Sequence, residues 1–186
     1  MSADIPAEIK KIVFKLAFDA GPEQAYLFHH LPQVEKWAKK ILLEYPEADP
    51  EILLSSVWLH DVGNIIGDKN IDHAINSEKY VLETLPKLLH LDQDFIDRVA
   101  HCVRSHRCKD VLPQSLEAKI LATSDSLSHM TDSIYFEIIE LQGIDATLEK
   151  LDRDYRDKSL LKLSFSDEID ALYINWKGLL TTIKSL

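Results

Sequence analysis

The chain has 186 residues, of which 46% are hydrophobic, enough to fill one sizeable core without a second domain. Its 21 basic and 31 acidic residues leave a formal charge of −10, the wrong sign for a surface that neutralises nucleic-acid phosphates. Two cysteines, Cys102 and Cys108, are too few for a disulfide framework or a thiolate zinc site, and no apolar run is long enough to span a bilayer.

Helical periodicity begins with Ile9, Ile12, Val13, Leu16 and Ala17, which predict a helix over 6–19. Lys10, Lys11 and Lys15 interrupt that apolar stretch and no small-residue cleavage site follows, so the expectation is an untargeted, cytoplasmic protein. A second helix is predicted over 32–44, with Pro32 placed at its edge. Asp49 as N-cap and Pro50 behind it open "EILLSSVWLH" as a third helix, and Gly63 reads as its left-handed stop. Further helices are predicted over 71–84, 92–107, 115–130, 132–142, 145–159 and 167–184. Strand-like alternation is nearly absent and no Gly/Ser-rich linker occurs, so the reading is all-α, a compact multi-helix bundle forming one domain over 1–186. Residues 143–186 carry no histidine and are expected to pack as a cap or support, which leaves the chemistry between 29 and 129.

All eight histidines lie in that central window. His60 ends a core-facing helix, so its ring points inward, and Asp61 follows where the helix stops and can turn toward the same space. Two adjacent polar groups aimed at a core are costly unless something pairs them, and a divalent cation satisfies both together. His30 shares the four-residue stripe of Val34 and Ala38, whereas His29 need not face the core. His106 shares the stripe of Val99 and Val103, and His101 is rotated away from it. Asp125 interrupts the apolar run of "EAKILATSDSLSHM", either as a ligand or as a hydrogen-bonded helix-terminal carboxylate. Glu117 and Asp132 read as ordinary surface acids.

The order of these residues resembles the HD-domain superfamily of metal-dependent phosphohydrolases, named for its adjacent His-Asp pair. The matching segments are "HHLPQVEKWA" at His30, "LHDVG" at His60 and Asp61, "IDHAINSE" at His73, "VRSHR" at His106 and "ILATSDSL" at Asp125, over residues 30–130. The resemblance implies an all-helical fold in which His30, His60, Asp61 and Asp125 bind one divalent metal. It also implies that His73 and His106 hold a second ion with Asp61 bridging, or else line the pocket of a one-metal site. The sequence departs from common forms at "HDVGN", where Asn64 can act neither as a strong base nor as a phosphate-binding cation. Asp68 and Lys69 in the following loop are the nearest replacements, Asp68 beside Asp61 as a catalytic carboxylate and Lys69 with Arg107 as substrate cations.

Histidine and carboxylate donors without cysteine suit Mn, Fe, Co, Ni, Zn or Mg, and phosphoester hydrolysis needs what such ions supply. The expected function is hydrolysis of a small phosphorylated substrate, with nucleotides as one candidate. A di-iron oxygenase of similar fold and a non-catalytic metal- or nucleotide-binding domain are the alternatives. Neither a nucleic-acid nor a membrane partner is expected, and the sequence carries no reading of oligomeric state.

Overall fold

The computed structural model describes residues 4–186, and among them no strand occurs. The fold is all-α. Its helices are α1 (Ile5–Ala20), α2 (Leu27–Leu42), α3 (Pro50–Leu59), α4 (Gly63–Ile66), α5 (His73–Glu83), α6 (Leu85–Leu88), α7 (Gln93–Ser105), α8 (Leu116–Thr131), α9 (Ile134–Gln142), α10 (Ile144–Asp157) and α11 (Ser166–Lys184). None of them is long and apolar enough to cross a membrane.

Side-chain caps explain several of the starts. Asp49 accepts from the backbone N–H groups of Glu51 and Ile52, Asp72 from Ala74, Asp92 from Phe95 and Ser115 from Ala118. Each cap satisfies a donor that the first helical turn leaves unpaired.

Helix α3 is the centre of the bundle, packed by α1, α2, α7 and α8. Leu53, Val57 and Leu59 on it are fully buried and Trp58 nearly so. Its C-terminal end therefore delivers His60 and Asp61 into the interior, as the apolar pattern of "EILLSSVWLH" requires. Helix α2 lies along α8, and α5 lies along α7, so the pairs that carry the remaining histidines flank the end of α3. Helix α10 packs on α8, α9 and α11.

Two local expectations are corrected. Helix α2 begins at Leu27, five residues before the predicted start at 32, and Pro32 lies inside it. Burial of Leu27 and Leu31, with Phe28 stacked on Phe14 at 5.3 Å, carries the helix through the proline. Gly63 is not a left-handed stop: it opens α4, and the described residues with positive φ are Gly21, Gly143 and Cys108. What Gly63 provides is close approach, because a Cβ there would lie 2.2 Å from the carbonyl oxygen of His73 and 2.8 Å from the backbone nitrogen of Ser77.

Candidate metal centre

Five helices or helix ends bring their donors to one point. His30 comes from the first turn of α2, His60 and Asp61 from the end of α3, His73 from the start of α5, His106 from the end of α7 and Asp125 from the middle of α8. His60 is fully buried, and His30, Asp61 and His106 are nearly so. His30 Nε2 lies 3.3 Å from His60 Nε2 and 3.2 Å from Asp125 Oδ1. Asp61 Oδ2 is 3.6 Å from His30 Nε2 and 3.7 Å from His60 Nε2. On the other side Asp61 Oδ1 is 3.2 Å from His73 Nε2, which in turn lies 3.2 Å from His106 Nε2. The donors fall into overlapping groups, His30 with His60 and Asp61, and Asp61 with His73 and His106, so that Asp61 is common to both.

Hydrogen bonds at the far nitrogens show why this set fits a cation. His60 Nδ1 is 2.8 Å from the carbonyl of Val57, and His106 Nδ1 is 2.7 Å from that of Val103. A carbonyl only accepts, so each ring carries its proton on Nδ1 and turns an Nε2 lone pair inward. Ser128 donates its hydroxyl hydrogen to the carbonyl of Asp125, so its oxygen accepts from His30 Nδ1 at 3.3 Å, and His30 too presents a lone pair at Nε2. Asp125 Oδ1 is buried without a hydrogen-bond partner. With the rings neutral these lone pairs face one another and repel, and either a proton or a divalent cation between them removes that cost.

The electrostatics agree. Burial opposes charge on His30, but Asp125, Asp132 and Asp61 overcome it and raise the imidazole to about 10. Burial is likewise outweighed at His60, which Asp61 and Asp125 raise. Asp61 is held well below the usual carboxylate range against its burial by His60, His73 and His30, and Asp125 is held there by His129, His30 and His60. A proton on His30 Nε2 supplies the positive charge that a metal ion would bring. On the opposite side, burial lowers His73 and pushes His106 down to about 3, with the charge of His60 adding to the effect at both. Neutral imidazoles there are the form that ligates.

The other predicted residues lie outside this group. Asp68 accepts from the backbone and side chain of Asn70 within its own turn, and Lys69 is exposed, 3.5 Å from Glu23. Arg107 is on the wall of the cleft but is ion-paired with Asp72, the N-cap of α5. His101 accepts from the backbone N–H of Gln114, and His29 is exposed. Glu117 and Asp132 are not surface acids: Glu117 is buried and accepts from Asp49 N at 2.9 Å, while Asp132 accepts from Ile134 N and stands 3.6 Å from His30 Nδ1.

Sequence reasoning missed two contributions. His129, four residues after Asp125 on α8, stacks on His30 with the rings 6° from parallel and has Nε2 3.4 Å from Asp125 Oδ1. The i, i+4 spacing was the available signal. A cleft of about 600 Å³ over the cluster is also walled by Lys150, Arg153, Asp154 and Arg156 of α10. The segment expected only to cap the bundle therefore forms one side of the site.

A family model, the HD domain, matches residues 27–130, from α2 to the end of α8. Comparison with curated proteins gave no match, and neither did comparison with solved structures. The matched span covers more than half of the chain and contains His30, His60, Asp61, His73, His106 and Asp125, and on that ground the chain belongs to the HD-domain family.

Proposed function

We propose that the protein is a metal-dependent phosphohydrolase acting on a small phosphorylated substrate of nucleotide size. The observation that carries this reading is Asp61, whose two carboxylate oxygens face two different sets of imidazole nitrogens. His30, His60, Asp61 and Asp125 would hold one divalent ion, drawn from Mn, Fe, Co, Ni, Zn and Mg, and His73 and His106 would hold a second ion across Asp61. HD domains are typical of metal-dependent hydrolases, and the cleft volume of about 600 Å³ lies in the range of small-molecule sites.

A bound divalent ion supplies an acidified water and a Lewis acid for the phosphoryl oxygen. The residues of the chain divide the remaining work. Asp61 and Asp125 stay anionic and balance the cation. Lys109, on the cleft wall and more than half exposed, lies 3.6 Å from Asp72 and would be within reach of a phosphate in the cleft. Arg107 spends part of its guanidinium on Asp72 and keeps its remaining N–H groups for the phosphate. Tyr26 lines the same cleft, and burial together with Asp61 keeps its phenol protonated, so it can only meet a substrate oxygen as a neutral hydroxyl.

The test is a screen of phosphomonoesters, phosphodiesters and nucleotides with metal-replete protein, with elemental analysis of the same sample. Phosphate release that a chelator abolishes is expected. Oxygen uptake without phosphate release would replace the hydrolase by a di-iron oxygenase. His73→Ala probes the second ion: its expected metal content is about one ion per chain against about two for the unaltered protein, as in two-metal hydrolases. An equal count in both proteins would leave His73 as a wall of a one-metal site.

A further inference from the structure

Outside the region matched by the HD-domain model, Lys150 and Asp154 of α10 form a partly buried network with His129 of α8. Lys150 Nζ lies 2.8 Å from His129 Nδ1 and 2.7 Å from Asp154 Oδ1, and the hydroxyl of Tyr135 donates to Asp154 Oδ2 at 2.8 Å. Asp154 is 3% exposed and His129 8%. Each carboxylate oxygen of Asp154 thus already accepts a hydrogen bond from a group other than His129.

An ammonium group can only donate. With Lys150 at 2.8 Å, His129 Nδ1 must present a lone pair, and the ring's proton sits on Nε2. That nitrogen faces Asp125 Oδ1 at 3.4 Å, the same oxygen that has no hydrogen-bond partner. The opposite tautomer would reach Asp154 Oδ2 at 3.2 Å, against 3.4 Å to Asp125 Oδ1, but only by turning an N–H against the Lys150 ammonium at 2.8 Å, and that contact decides between them. Position alone would group His129 with His30 and Asp125 as a third metal donor; the Lys150 contact removes the lone pair it would need.

We propose that Lys150 is a positioning residue that fixes His129 as an Nε2–H donor to Asp125, so that His129 orients this carboxylate toward the metal and does not itself ligate. The inference rests on the metal-binding reading of the cluster. It makes α10 part of the metal centre: a cation on one helix sets the proton position on a second, which sets the carboxylate. Residues that orient a ligand typically contribute 10- to 100-fold to metal affinity.

The experiment is nitrogen-15 NMR of the histidine rings of the full chain, with and without Zn²⁺, together with Zn²⁺ titration by calorimetry. Failure of the unaltered protein to bind Zn²⁺ would overturn the reading of the site, and with it any orientation toward a metal. In the Zn²⁺-loaded protein His129 is expected to show a protonated Nε2 and a bare Nδ1. Zn²⁺-bound Nε2 in His129 would overturn the proposal while leaving the metal site standing. Lys150→Met, which keeps the aliphatic stem, is expected to weaken Zn²⁺ binding about 10- to 100-fold. Lys150→Arg, which still donates to Nδ1, is expected to restore it. Equal affinity in Lys150→Met and the unaltered protein would also overturn the proposal. The ring spectrum of the unaltered protein decides the question even if the methionine variant does not fold.

Discussion

Asp61→Ala is expected to remove bound metal and to lower metal-dependent hydrolysis by about 10³-fold or more, the several kcal/mol a metal ion contributes at ~1.4 kcal/mol per tenfold. The carboxylate is common to both donor groups, with Oδ1 3.2 Å from His73 and Oδ2 3.6 and 3.7 Å from His30 and His60. Its loss leaves two buried imidazoles that neighbouring carboxylates had raised, now with Asp125 as their main anionic partner. Removing one partner of a buried charge pair costs ~3–5 kcal/mol, so metal-free stability should fall as well. Asp61→Asn keeps the shape and loses the charge; it should lose metal and activity to the same extent with a smaller fall in stability. Elemental analysis, turnover and denaturant unfolding of both variants check this. Normal metal content with full activity in either would contradict the role given to Asp61.

The second large effect is expected at a residue with no side chain. Gly63→Ala would place a Cβ 2.2 Å from the His73 carbonyl oxygen, 2.8 Å from Asn76 Cβ and 2.8 Å from Ser77 N. Two of these atoms are backbone, which cannot rotate away, so α4 and α5 must separate. Gly63 N also donates to Ser77 Oγ at 2.7 Å, a buried bond that the separation would stretch. Overpacking of this kind costs ~1–3 kcal/mol, and more where backbone must move. Because His73 is the first residue of α5, the same displacement disturbs its position relative to His106 and Asp61. The variant is expected to lose stability in denaturant unfolding and to bind less metal than the unaltered protein. An unchanged unfolding midpoint would show that α4 and α5 are not pressed together as described.

Much of this arrangement was legible in the chain because the donors interrupt strongly periodic apolar faces. The stripes of Val34 and Ala38, and of Val99 and Val103, selected His30 over His29 and His106 over His101, and the structure turns those same rings toward the cluster. Asp49 and Pro50 marked the start of α3, whose burial carries the His-Asp pair inward. What escaped the sequence depended on contacts between distant segments. Pro32 reads locally as a helix edge, yet tertiary burial of Leu27 and Leu31 continues the helix on both sides of it. Gly63 reads as a chain-reversal residue, whereas its function is to let α5 approach. Glu117 and Asp132 look like solvated acids until the partners Asp49 and His30 are placed beside them. The contribution of α10 was hidden for the same reason: Lys150 and Asp154 meet His129 only after the chain has returned through α9, and nothing in the local pattern distinguishes them from a charged surface face.

Anomalous diffraction from crystals grown with Mn²⁺ shows whether the cluster of imidazoles and carboxylates centred on Asp61 holds divalent metal. An anomalous peak is expected about 2.0–2.3 Å from His30 Nε2, His60 Nε2 and oxygens of Asp61 and Asp125, the usual range for nitrogen and oxygen ligands. A map with no peak there, or with the strongest protein-bound peak among other residues, would contradict metal binding by this cluster.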